Sequence, residues 1–399
     1  MYTPSQEILE KYANILINFA LGGGGGVKTG EVVFLQVPES AKPLLLVLRS
    51  AVLKAGANPI TEYLPDEYSK DYFEQADNRQ LRFFPSKYLR GKVDEMDHFV
   101  RILCETNKYE LRNIDPKRIM LRNFSQKPFR DWQREKENVG KMTWTLAMYA
   151  TETMAKDVNL SLEQYWSQII KGCYLDYSDP VEKWKETFEN IRKIKQKLND
   201  LDIRYLRIEA EDTDLTIGID KNRKWLGGDG RNIPSFEIFI SPDYRETDGF
   251  ISFNQPLYIY GDIINGIKLH FNDGEVVKAS AAEGQQLLLE MIKTKGANKL
   301  GEFSLTDNRF SRINMFMGET LFDENLGGKY GNTHIALGAA YRDSLPQNPK
   351  KITERMWNEM GYNDSAVHTD IISTTDRTIT ATMADGQRAV IYKNGRFTL

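Results

Sequence analysis

Near residue 200 the spacing of apolar residues changes its period, and this change constrains the fold more than any other feature of the chain. Before it, helical and extended stretches alternate. Ile8 to Leu21 and Ala41 to Ala55 repeat apolar positions at helical spacing, and Gly56 is suited to end the second helix in a left-handed conformation. Glu31 to Val37, Pro59 to Leu64 and His98 to Cys104 are short runs of strand character, with a helix expected over Lys87 to Met96. Strands separated by helices imply a mostly parallel sheet covered by helices. Beyond residue 200 the runs alternate as strands: Ile203 to Ala210, Leu215 to Ile219, Ser235 to Ile240, Phe250 to Asn254 and Val276 to Ala279. The C-terminal stretch places Asp385-Gly386 and Asn394-Gly395 between alternating segments, which are hairpin signals. We therefore expect an α/β N-terminal domain over 1–200 and an α+β C-terminal domain with a largely antiparallel sheet over 201–399.

A chain of 399 residues exceeds one ordinary core and suits two domains. Its net charge of −3 offers no global basic field, which argues against nucleic acid as a partner. The basic stretch over 112–141, interleaved with Phe124, Phe129 and Trp132, reads as a solvated helix face. No apolar run approaches the roughly 20 residues that span a bilayer, and the start lacks a signal-peptide pattern. Cys104 and Cys173 are too few for a disulfide framework or a cysteine zinc site, and both are expected in the core. A cytoplasmic enzyme fits this balance. The run Gly22 to Gly26 follows a helix and precedes a strand, the reverse of a dinucleotide loop, so it reads as a flexible surface connection.

The chemistry gathers in the second half, where Glu237, Glu302, Glu324, His334, His368 and Asp370 supply metal-ligand types. If Val367 to Ser373 is a strand, His368 and Asp370 share a face. Imidazole and carboxylate aimed at one point suit Zn²⁺, Co²⁺ or Mn²⁺. Glu237, Glu302 and Asp370 lie in apolar or β-like stretches, and a carboxylate turned inward there needs a partner. Four carboxylates together repel, and two divalent cations would neutralise them, with two neutral imidazoles completing the shells. Such a pair clamps an attacking hydroxide and a developing tetrahedral oxygen. His334 and Tyr341 are seven apart, which on a helix returns to one face and would aim the Tyr341 hydroxyl into the site as an oxyanion donor. His98 and His270 read as ordinary strand residues.

Several segments resemble the aminopeptidase T / aminopeptidase S family of thermophile-type metallo-exopeptidases. They are Gly301-Glu302, Thr320-Leu321-Phe322-Asp323-Glu324-Asn325, His334-Ile335-Ala336-Leu337-Gly338 with Tyr341, and Asn363-Asp364-Ser365-Ala366-Val367-His368-Thr369-Asp370. The resemblance implies a catalytic C-terminal domain, a homodimer, and peptide substrates with a free N-terminus. It further implies two divalent ions (Zn²⁺ or Co²⁺, with Mn²⁺ or Mg²⁺ as further options) held by Glu237, Glu302, Glu324, His334, His368 and Asp370. Glu302 would bridge the ions, and Glu302, Tyr341 and His368 would serve catalysis. The segment 326–333 is longer and richer in glycine than the family pattern, and Ile371-Ile372-Ser373 replaces a more Phe/Met/Gly-like stretch. A binding protein without turnover and a two-metal phosphoesterase are the competing readings. The second lacks an evident phosphate-binding cluster beside these motifs.

Overall fold

Four strands of the first half pair in parallel: β1 (Val32–Pro38), β2 (Asn58–Leu64), β3 (His98–Leu103) and β4 (Thr143–Met148), in the order β2-β1-β3-β4. Consecutive β1 residues Val33, Phe34 and Leu35 are all buried, as expected of a parallel strand covered on both faces. The computed structural model describes residues 2–259, 262–347 and 352–399. The chain divides into two units, one of residues 1–185 with 229–234, the other of 186–228 with 235–399.

In the first unit, Ser5 caps the helix Gln6–Ile15 by accepting from the Ile8 amide at 3.3 Å. The single helix expected to Leu21 is instead three pieces, because Leu16–Ala20 widens into a π turn and Leu21–Gly24 tightens into a 3₁₀ turn. The glycine run is tied down: the Gly22 amide donates to Thr143 Oγ1 at 3.0 Å, and the Gly26 amide to the Leu21 carbonyl at 2.9 Å. His98 is a satisfied core histidine, with Nδ1 2.7 Å from Thr143 Oγ1 and Nε2 2.8 Å from Glu31. The basic helices Pro116–Ser125 and Lys127–Asn138 bury none of their residues, in keeping with a solvated face. No helix among the described residues is long and apolar enough to cross a membrane.

The second unit holds an eight-stranded antiparallel sheet that includes the expected C-terminal hairpins, Thr378–Met383, Arg388–Lys393 and Arg396–Phe397. Its strand Lys268–Asn272 alternates exposed and buried residues, the mark of a sheet with one wet face. A second antiparallel sheet differs. It contains β5 (Glu237–Ile240), β6 (Leu300–Thr306), β7 (Asn332–Gly338) and β8 (His368–Ser373), in the order β8-β7-β6-β5. Every residue of β6 and β7 is buried. Strands dry on both faces are ordinarily apolar throughout, yet these carry Glu302, Ser304, Thr306, Asn332 and His334. Such groups are stable there only with partners.

The glycine-rich segment before β7 is anchored. The Gly327 amide donates to the Ile313 carbonyl at 2.8 Å, and the single Tyr392 hydroxyl proton is shared between the carbonyls of Thr306 at 2.9 Å and Tyr330 at 3.2 Å. Gly331 has φ of +61°, and a Cβ there would collide with the Thr306 carbonyl oxygen and the Tyr392 hydroxyl. Gly331→Ala should therefore cost on the order of 2 kcal/mol in urea unfolding. A loss under about 0.5 kcal/mol, the ordinary size of a surface change, would contradict this account.

Candidate metal centre

Register and the two-residue period of a strand build the site. Glu302, Ser304 and Thr306 alternate onto one face of β6. Pairing sets Ser304 opposite His334, Thr306 opposite Glu237, Ala336 opposite Asp370, and Gly338 opposite His368. The side chains of all four strands thus converge on one face. The β6 register slips between Leu300 and Glu302, where Gly301 lies so close to the carbonyls of Gly338 and Ala339 that a Cβ would not fit. A slip of this kind re-aims the neighbouring side chain, here Glu302.

Two groups of candidate ligand atoms result, each with its atoms within 4.8 Å of one another: Glu237, Glu302 and His334, then Glu302, His368 and Asp370. His334 Nε2 is 3.3 Å from Glu302 Oε1 and 3.4 Å from Glu237 Oε2. His368 Nε2 is 3.3 Å from Asp370 Oδ1 and 3.5 Å from Glu302 Oε2. Glu302 belongs to both groups, offering a different oxygen to each imidazole. His368 Nδ1 lies 2.8 Å from the Ala339 carbonyl, which only accepts, so that nitrogen carries the proton and Nε2 faces the carboxylates.

Glu324 stands beside these groups rather than in either. It caps the short helix Thr320–Asp323 at its C-terminal end and accepts from Asn325 Nδ2 at 3.4 Å. Tyr341 is not on a helix with His334, as the seven-residue spacing suggested. His334 lies within β7 and Tyr341 three residues beyond its end. The run His334-Ile335-Ala336-Leu337 fits either helix or strand, and pairing with β6 and β8 decides for strand. Tyr341 still reaches the site. Its ring centroid is 4.9 Å from that of His368 and 5.4 Å from that of Phe239, and its amide donates to Ser241 Oγ at 2.8 Å.

The electrostatics follow from burying many charges together. Burial, with Glu302 and Asp370 nearby, raises the Glu237 carboxyl despite its contact with His334. Burial and then Glu237 and Asp370 push Glu324 well above the ordinary range. Burial alone would lower both imidazoles, but Glu237 and Glu302 raise His334, and Asp370 and Glu302 raise His368. Tyr341 is 45% exposed as a residue, yet desolvation of its hydroxyl, followed by the carboxylates of Glu302, Asp370, Glu324 and Glu237, lifts the phenol, so it remains a proton donor at neutral pH. His334 Nδ1 is buried with no hydrogen-bond partner. A largely buried set of carboxylates and imidazoles, with protons held where charge crowds, matches the donor chemistry of divalent transition ions.

The profile of the thermophilic metalloprotease (M29) family matches residues 5–397. The chain belongs to that family. As an M29 metallo-aminopeptidase it is 30% identical to aminopeptidase PepS of Streptococcus thermophilus, over 99% of this chain and 98% of the relative. It is 27% identical to aminopeptidase AmpS of Bacillus subtilis, over 96% and 98%. Wild-type AmpT from Thermus thermophilus shares the fold with a TM-score of 0.83 at 22% identity, covering 99% of this chain and 100% of that one. Within the M29 site, sequence reading missed Ser304, whose hydroxyl donates to Glu237 Oε2 at 3.3 Å. Its place two residues after Glu302 in a strand was the available signal. It also missed the side-chain amides of Asn325 and Asn332, for which no comparable signal exists.

Proposed function

We propose that this M29 enzyme is a two-metal aminopeptidase that removes N-terminal residues from peptides, with catalysis in its second unit. The observation that carries the reading is that Glu302 is shared by two groups of ligand atoms. Glu237, Glu302 and His334 would hold one ion and Glu302, His368 and Asp370 the other, with Glu324 completing the set. When bound, Zn²⁺ or Co²⁺ would supply Lewis acidity toward the scissile carbonyl and make a water nucleophilic near neutral pH. Glu302 or Glu324 would take the proton of the attacking water and return it to the departing amine. Tyr341, kept protonated by its surroundings, donates a hydrogen bond to the carbonyl oxygen as negative charge develops. A carboxylate or a metal ion would receive the free amine of the substrate, which confines cleavage to chain ends. Assembly as a homodimer and a cytoplasmic setting accompany this reading, on the family resemblance and the composition.

The test is hydrolysis of leucyl-, arginyl- and glutamyl-arylamides by metal-stripped protein, with and without added Zn²⁺, Co²⁺ or Mn²⁺. Each substrate has an N-acetylated control. Restored cleavage that needs a free amine is the expected result. Folded protein that binds ions and cleaves none of the substrates would refute the proposal.

A further inference from the structure

Asn325 is fully buried and immediately follows Glu324. Its side chain has three partners in two segments of the chain. Oδ1 accepts from the amide of Phe236, the residue before Glu237, at 2.6 Å. Nδ2 donates to the Leu321 carbonyl at 3.1 Å and to Glu324 Oε1 at 3.4 Å. Its own backbone is held as well, since its amide donates to the Phe322 carbonyl and its carbonyl accepts from Ser311 Oγ. Asn332, equally buried, fixes the other side of the turn by donating to the carbonyls of Asp323 and Glu324 at 3.2 and 3.0 Å.

The chemistry of the amide is specific to this position. One planar group must accept from a main-chain N–H and donate toward a carboxylate, and a carboxamide does both. Aspartate would keep the Phe236 contact but set a second negative charge against Glu324. Serine is too short to span both partners. We propose that Asn325 is a positioning residue that fixes Glu324 and Glu237 relative to one another, so that the two carboxylates serve one divalent-cation position. The strut is needed because Glu237 and Glu324 come from segments 87 residues apart, and no strand pairing joins the turn at Glu324 to β5. The inference rests on the two-metal reading of the site.

The test is titration of Co²⁺ alone into metal-stripped wild type, Asn325→Asp and Asn325→Ser, followed by calorimetry and by the visible d–d absorption of the cobalt. Circular dichroism checks the fold. Wild type should bind two ions. In Asn325→Asp one of the two should bind about 10–100-fold more weakly, the size expected when a ligand's support is lost. Its cobalt spectrum should change, while the ion facing His368 and Asp370 keeps its affinity. Asn325→Ser, which buries no charge, should show the same selective loss and carries the test if the aspartate variant fails to fold. Wild-type affinities and spectra in a folded variant would overturn the proposal. So would equal weakening of both ions, which is what a general packing defect produces. Failure of wild type itself to take up Co²⁺ would sink the two-metal reading, and the strut with it.

Discussion

Glu302→Gln is expected to lower kcat on a leucyl-arylamide by about 10³-fold or more, with the fold intact. The estimate comes from the several kcal/mol that metal-assisted charge stabilisation supplies, at tenfold in rate for about every 1.4 kcal/mol. Glutamine has nearly the same shape, so the packing of β6 should survive. It lacks the charge and the second acceptor oxygen that let one side chain face both His334 and His368. Its amide cannot take a proton from water. Arylamide turnover at saturating Zn²⁺ or Co²⁺, with circular dichroism and bound-metal analysis, measures the effect. A variant within tenfold of wild type would remove Glu302 from the mechanism.

Tyr341→Phe should separate binding from chemistry. The ring contacts with His368 and Phe239 need no hydroxyl, so ion binding and KM are expected to stay within about threefold of wild type. The lost donor acts on charge that develops only in the transition state. kcat should therefore fall by about 10²–10³-fold. An unchanged kcat, or a loss confined to KM, would show that the hydroxyl is not the oxyanion donor.

The parts of this site that were legible in the sequence are those set by local periodicity. His368 and Asp370 share a face because strand side chains alternate, and two residues suffice to see it. The pairing of Glu302 with His334 spans 32 residues, and its register depends on the Gly301 slip and the turn before β7. No spacing rule supplies that. Tyr341 was placed by a helical period because an apolar run of this length does not distinguish helix from strand. β4 was passed over for a related reason. Its threonines and tryptophan break the apolar block that marked β1, and only parallel pairing with β3 reveals it. The two halves were readable in outline because parallel and antiparallel sheets impose different connections, helices in one and hairpins in the other.

The dry sheet has a consequence for how the enzyme comes into being. Its strands pair in chain order, β5 with β6, β6 with β7 and β7 with β8, so Glu237 meets Glu302 and His334 before His368 and Asp370 arrive. Closing such distant segments is slow relative to local structure. A nascent chain that has reached Gly338 already carries Glu237, Glu302 and His334 and still lacks His368 and Asp370. The second group of ligand atoms is thus completed last, and a chain stopped before His368 would keep one candidate ion position and lose the two-ion clamp.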